Sequence, residues 1–385
     1  MKTVYLDNNA TTRVAPEVLE AMLPFLRERY GNPSSMHTFG GGVKKAVDEA
    51  RGLVAGLVGA EPGEIIFTGC GTESDNAAIL AAHAADPRRS HVVTTRVEHP
   101  AVLALCMKIE KNGHRVSWIG VDAQGMLDLE EIRRAVRDCT GVVSVMWANN
   151  ETGVVFPVEE IGKIVKSAGA CFHVDAVQAV GKIPLDMRRS AVDYLSLSGH
   201  KLHAPKGVGA LYIRKGTKFS PFIVGGHQEM GRRGGTENVA SIVGLGAACL
   251  LAAKNLAEEQ TRVKTLRDRL EKALLEKAPD ARLNGHPERR LPNTSNISFE
   301  YVEGEAILLR MNALGICASS GSACTSGSLE PSHVLRAMGV PYTAAHGSVR
   351  FSLSRYTTEE EVDFVIEHLP PIIRTLRELS PFGRA

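Results

Sequence analysis

Between residues 60 and 215 the chain alternates short, β-rich apolar runs with segments of helical period. The runs fall at 65–68, 91–95, 115–119, 141–148, 171–174, 194–198 and 209–213, and helical stretches at 73–85, 101–112, 129–138 and 158–168 lie between them. Strands that are apolar throughout must be covered on both faces, and the intervening helices supply that cover. The pattern predicts an α/β fold built on a mostly parallel, seven-stranded sheet. Ligands of such sheets sit beyond the carboxyl ends of the strands. The turns at 69–72, 98–100, 149–153, 175–178 and 198–201 can therefore converge on one crevice.

After residue 240 the texture changes to a long amphipathic helix over 240–278. It is followed by strand-like 294–299, 315–319 and 348–352 and by helices at 304–314 and 358–379. This reads as a smaller α+β domain packed with the N-terminal arm. The expected division is 16–254 for the large domain, and 1–15 with 255–385 for the small one; 385 residues suffice for both. Lys plus Arg is 45 against 43 for Asp plus Glu, so no basic face for nucleic acid is expected. No apolar run reaches the ~18 residues of a membrane span, and the first ten residues lack a basic-then-apolar leader. The seven cysteines are odd in number and form no C-x-x-C pair. Free thiols in a reducing compartment, the cytoplasm, are expected.

Several residues at the strand ends carry chemistry. Lys201, in Ser198-Gly-His-Lys, follows an apolar strand and can project an amine able to attack a carbonyl; a solvated surface lysine is the alternative. Asp175 ends the run Cys171-Phe-His-Val, where a carboxylate needs a cationic partner such as a protonated pyridine nitrogen, unless it merely caps a helix. Gln178, three residues on, can reach the same ligand. Gly69-Cys-Gly-Thr-Glu73 places backbone N–H groups of Gly71 and Thr72 at a helix N-terminus, a cradle for phosphate, and Ser198 and His200 can add donors. No Gly-Lys-Ser/Thr closes that loop, which disfavours ATP. His99, before Pro100, can stack on a flat ring and move protons, or simply cap a helix. Asn149 and Asn150 are turn residues that can also bond a ring substituent.

Cys324 lies in Ala318-Ser-Ser-Gly-Ser-Ala-Cys-Thr-Ser-Gly-Ser328, a stretch of small and polar residues, whereas Cys106 and Cys249 sit in apolar helical surroundings. Such a loop is expected to be exposed and mobile, which suits a nucleophile that must reach more than one place. An incidental surface thiol is the competing reading. Arg350, in Ser-Val-Arg-Phe-Ser, can fork onto a carboxylate or be a plain surface residue. The thirteen His and seven Cys lack metal-ligand spacing, and no H-E-x-x-H occurs, so no intrinsic metal is expected.

Taken together, YLDNNATT (5–12), GNPSSMH (31–37), CGTESDN (70–76), VEHPAV (97–102), NNETG (149–153), HVDAVQ (173–178), SGHKLHAPKG (198–207), RRGGTEN (232–238), SSGSACTSGSLEPSHVLRAMG (319–339) and VRFSLSRYTTEEE (349–361) resemble the cysteine desulfurases along nearly the whole chain. These are class V members of the pyridoxal 5'-phosphate (PLP) transferases of fold type I. The wording is most similar to the branch serving nitrogenase cluster assembly. A general housekeeping desulfurase and a selenocysteine lyase are the alternatives.

The resemblance implies that Lys201 holds PLP covalently and moves protons, that Cys324 attacks the sulfur of L-cysteine, and that His99 stacks on the ring. It implies that Asp175 pairs the pyridine nitrogen, and that Gln178 and Asn150 contact ring substituents. Gly71, Thr72, Ser198 and His200 would bind phosphate, joined by Thr236 from the neighbouring subunit of a homodimer. Arg350 and Asn150 would hold the substrate carboxylate. It further implies an iron–sulfur scaffold protein as sulfur acceptor, with Cys324 able to ligate transiently a cluster shared with that scaffold. No nucleic-acid or membrane partner is implied.

Overall fold

The computed structural model describes residues 3–320 and 331–380. In chain order its strands are β1 (Val4–Tyr5), β2 (Ile65–Thr68), β3 (His91–Thr95), β4 (Val116–Ile119), β5 (Thr140–Met146), β6 (Cys171–Asp175), β7 (Tyr194–Ser198), β8 (Gly209–Ile213), β9 (Ala281–Leu283), β10 (Thr294–Phe299), β11 (Ile316–Cys317) and β12 (Ser348–Ser352).

The seven strands read from the sequence form one sheet in the order β2-β8-β7-β6-β5-β3-β4, with β8 antiparallel to both its neighbours and all other pairs parallel. Alternate residues face opposite ways along a strand. Thus Phe67, Val93 and Val143 enter one hydrophobic core, while Ile66, Val92 and Val142 enter another on the reverse face. That reverse face is covered by helices Gly71–Ala84 and Pro100–Lys111, through Ala78, Ile79, Val102 and Leu105. Asp175 lies opposite Met146 on one side and Ser196 on the other, at the carboxyl end of a central strand.

The structure corrects several boundaries. β5 stops at Met146; the Trp147 N–H still reaches the Asp175 carbonyl of β6, but the Asn149 N–H turns to the Val154 carbonyl. The helix expected over 129–138 closes at Ala135. Residues 16–58, unassigned in the sequence, form helices Pro16–Arg27 and Thr38–Val58, and β9 is a further addition. The expected single helix over 240–278 is two, Val239–Glu258 and Lys264–Lys277, joined by one π-helical turn, Glu259–Val263. The first buries Ile242, Leu245 and Cys249 in the large core, and the second buries Leu266, Leu270 and Leu274 in a separate one. A wide turn adds a residue to the helical phase where the chain leaves one core for the other. By length and composition the continuous stretch Val239–Lys277 could cross a membrane, but half of its apolar window is buried inside the fold.

The second core gathers Val4 and Leu6, the Lys264–Lys277 helix, Ile297 and Phe299 of β10, Val349 and Phe351 of β12, and Val362, Val365 and Leu369 of helix Glu359–Leu379. β9, β10 and β12 make an antiparallel sheet, and β1 pairs in parallel with β11. The arm continues past β1 to bridge Asp7 with Ser352. Residues 334–345 depart from this grouping, because Val334, Leu335, Met338 and Ala344 pack into the large core.

Candidate active site

The turns after β2, β3, β5, β6 and β7 do converge. They line one cavity of about 460 Å³, to which Gly71, Thr72, His99, Asn150, Asp175, Gln178, Ser198, His200, Lys201 and Arg350 all contribute. One described site residue that was expected there is not among its walls. Thr236 is exposed and lines a different cavity, with Gly69 and Arg233. Cys324 lies outside the described residues, as does most of the segment expected to be mobile.

Lys201 closes a short 3-10 turn, Gly199–Lys201, immediately after β7, and is half-buried rather than solvated. Its Nζ donates to the carbonyls of Asn9 (2.5 Å) and Ala10 (2.6 Å), so the N-terminal arm forms the wall the amine rests on. The arm was not foreseen as part of the site. Its motif is polar and turn-like, and only the fold shows that it crosses to the strand ends.

Asp175 is buried, and no helix follows it. Its Oδ1 accepts from the Val177 N–H at 2.9 Å, so it closes a turn rather than capping a helix. Burial, with the Asp75 carboxyl nearby, pushes Asp175 up to about 7. Asp75 is itself pushed up to about 7 by burial, and its Oδ1 has no hydrogen-bond partner. A cation placed in the cavity would relieve this pair of acids, because an opposite charge stabilises the ionised form. Asp75 escaped the sequence reading. It sits in the first turns of a helix, where an acid is ordinarily a solvated dipole partner.

His99 is both a helix cap and a wall of the cavity. Its Nδ1 accepts from the Ala101 N–H at 3.2 Å, capping helix Pro100–Lys111, and its ring also lines the cavity. Burial, with Lys201 and His333 near, pushes it down to about 4. The ring is therefore neutral near pH 7, and the cap leaves its proton on Nε2. His333, another wall residue, donates from Nε2 to the Glu98 carbonyl at 3.0 Å.

At helix Gly71–Ala84 the N-cap residue Cys70 makes no side-chain cap, so the helix opens toward the cavity. A Cβ on Gly71 would stand 2.9 Å from Val177 Cγ2 and 3.4 Å from Ser198 Cβ. Only glycine fits so close an approach, and a phosphate is the natural occupant of such a terminus. His200 Nδ1 lies 3.2 Å from Thr11 Oγ1.

Arg350 is only 3% exposed, which excludes the surface reading. It donates to Asp7 Oδ1 (2.8 Å) and to the Asn150 carbonyl (3.0 Å), while its buried Nε has no partner. Asn149 takes a different part from Asn150. Its Oδ1 accepts from the Glu151 and Thr152 N–H groups, and its Nδ2 donates to the Val97 carbonyl, so it shapes the turn that presents Asn150.

A pair of buried acids, a glycine-opened helix terminus and an amine share one cavity. These residues fit PLP.

The sequence pattern of the family "Aminotransferase class-V" matches residues 4–365. The chain belongs to the class-V aminotransferases. Within this family it is 63% identical over 383 residues to cysteine desulfurase 2 of Trichormus variabilis, covering 100% of this chain and 96% of that protein. It is 60% identical to cysteine desulfurase NifS of Azotobacter vinelandii, over 99% of this chain and 95% of the relative. Among solved structures, a NifS-like protein superposes with TM-score 0.92 at 41% identity, covering 97% of this chain and 100% of that one. SspA in complex with cysteine superposes with TM-score 0.80 at 34% identity, covering 93% and 100%. Class-V aminotransferases of this group use PLP, and their fold type I sheet is the one described above.

Proposed function

We propose that the chain is a PLP-dependent cysteine desulfurase that converts L-cysteine to L-alanine and leaves the sulfur as a persulfide on Cys324. The observation that carries the reading is the shared cavity of Lys201, Asp175, His99, Arg350 and the Gly71 helix terminus. The atoms balance without an external oxidant. The Cβ–Sγ bond of the substrate breaks, a bond forms between that sulfur and the Cys324 sulfur, and a proton completes the alanine methyl group. PLP, when bound, supplies an electron sink for charge released at the substrate's α-carbon.

The protein's own residues do the rest. Asp175 would hold the ring nitrogen, and Gly71, Thr72, Ser198 and His200 would hold the phosphate. Lys201 would carry the cofactor covalently and move protons at the α-carbon. Neutral His99 would stack on the ring, with Nε2 as the titrating position, and Gln178 and Asn150 would contact ring substituents. Arg350, with its free Nε–H, and Asn150 would orient the substrate carboxylate.

Thr236, exposed and away from this cavity, would reach the phosphate of a second copy in a homodimer. The large domain, 16–254, would carry the cofactor, and 1–15 with 255–385 would form the small one. The similarity to NifS supports a place in nitrogenase cluster maturation, with a scaffold protein as sulfur acceptor and the cytoplasm as the location.

The test is the purified protein incubated with L-cysteine. Alanine should form in step with a mass gain of one sulfur atom on the Cys324 peptide. Lys201→Ala should lose both products, whereas Cys324→Ala should keep the cofactor band and lose sulfur release. Sulfur release that survives Cys324→Ala would overturn the persulfide route and favour a selenocysteine lyase.

A further inference from the structure

We propose that Lys182 is a positioning residue for this reaction: it holds the Gln178 side-chain amide in one orientation, oxygen toward Lys182 and nitrogen toward the active cavity. The inference rests on reading that cavity as the PLP site, where Gln178 meets a ring substituent. It assigns a part to a lysine that no step above uses.

A glutamine amide offers a donor and an acceptor of nearly the same size, and a half-turn of its last torsion exchanges them. Something around it must choose. Lys182 Nζ lies 3.1 Å from Gln178 Oε1 and 3.2 Å from the Gln178 carbonyl. An ammonium only donates, so the amide oxygen has to face it. Gln178 Nε2 then donates to the Asn9 carbonyl at 3.0 Å, the same oxygen that accepts from Lys201 Nζ at 2.5 Å. The reversed amide would set oxygen against the Asn9 carbonyl and N–H against the ammonium, leaving both contacts repulsive. The second N–H of Nε2 remains for the cavity that Gln178 lines.

The fold goes to some length to keep Lys182 there. Its residue is 7% exposed and Gln178 5%. A buried ammonium is expensive unless it is paired and hydrogen-bonded. Gly181, at φ +74°, brings the backbone so near the neighbouring elements that a Cβ would lie 2.6 Å from Leu202 Cδ2 and 3.0 Å from Ala252 Cβ. Gln260 of the π-helical turn donates to the Lys182 carbonyl. Glu259 of the same turn lines a second, small cavity together with Lys182 and Lys201, and its Oε2 is buried without a partner. Burial lowers the Lys182 pKa to about 8, with Glu259 opposing the shift. The turn that interrupts the long helix thus places an acid behind Gln178, one that burial pushes up to about 7 and Lys182 pulls back down.

The experiment compares the wild-type holoenzyme with Lys182→Met, Gln178→Met and the double variant. It reads the visible band of the bound cofactor, the cofactor dissociation constant, and the melting temperature of cofactor-stripped protein. Each single variant should weaken cofactor retention by roughly tenfold and move the band in the same direction. The double variant should be no weaker than the worse single one, because both act through the same amide. A Lys182→Met holoenzyme with unchanged band and affinity would overturn the proposal. So would effects that multiply in the double variant, or a loss confined to melting temperature.

If Lys182→Met does not fold, neutron diffraction of the wild-type holoenzyme decides the matter. Deuterons on the Gln178 nitrogen directed at the Asn9 carbonyl support the assignment, and an amide nitrogen facing Lys182 rejects it. A wild-type protein that takes up no PLP would instead sink the underlying reading, an outcome distinct from a loaded wild type with an indifferent Lys182.

Discussion

At the scale of single residues, the site is a set of buried groups whose charges are out of balance until something joins them. Asp175 shows this most directly: burial and the neighbouring Asp75 push it up to about 7, against the opposing pull of Lys201. Asp175→Asn keeps the acceptor for Val177 but cannot hold a ring nitrogen protonated. Its kcat should fall by roughly 100-fold with PLP still bound, checked by absorbance and by alanine release. Near-normal turnover would reduce Asp175 to a turn former. Glu98, in the turn after β3 two strands away, gives a prediction in pH. Burial raises it to about 8 from an ordinary 4.5, while Oε1 accepts from Thr95 Oγ1 (2.7 Å) and the Met146 N–H (3.0 Å). The folded state keeps a proton that the unfolded chain releases, so stability declines as pH rises from about 4.5 to about 8. Glu98→Gln preserves both accepted bonds and removes that decline. The melting temperature of the variant should gain on wild type between about pH 5.5 and about pH 8.5, and a gap that stays constant would refute the assignment. Lys201, Asp175 and His99 were legible in the sequence because each sits at or just past a strand end in an unusual context, whereas Arg350, in the middle of β12, offered only a choice between a carboxylate fork and a surface residue. Asp75, Glu98, Asn9 and Lys182 were not. Their importance arises from burial by distant segments, and no local pattern marks that.

At the scale of elements, the strands were the easiest part to read and the joints the hardest. Doubly covered strands are rich in apolar and β-branched residues with few charges, so all seven of the main sheet stand out from the turns around them. The π-helical turn Glu259–Val263 has no such signature, since its cause is the passage from one core to another. The helix Gly71–Ala84 combines both kinds. Its presence follows from the sequence, but the closeness of its first residue to the turn after β6 does not. A Cβ on Gly71 would meet Val177 at 2.9 Å. Gly71→Ala should therefore push Val177 against the neighbouring Gln178 and Asp175, weakening PLP retention about tenfold. Fluorescence titration of the stripped enzyme measures this, and wild-type affinity would show that the terminus is not the phosphate site.

At the scale of the whole molecule, the proposed contribution of Thr236 across subunits can be checked by making two dead proteins and mixing them. One carries Lys201→Ala, the other Thr236→Lys. If Thr236 serves the other subunit's cavity, a hybrid dimer contains one site with both native residues and regains activity on co-expression. Hybrids that form and stay inactive would reject a contribution of Thr236 across subunits. The same scale explains why the N-terminal arm stayed hidden in the sequence: its partners are almost the length of the chain away. Asp7 pairs with Arg350 and the Asn9 N–H with Ser352 Oγ, each across 343 positions, and Lys201 reaches the Asn9 carbonyl across 192. Such contacts carry a large loop-closure entropy and form late in folding. During synthesis the sheet can assemble while residues beyond 300 are still inside the ribosome, but the wall that steadies Lys201 must wait for β12. Cofactor capture is therefore an event of the finished chain, and a nascent chain stalled before residue 350 would hold the scaffold of the crevice without its grip.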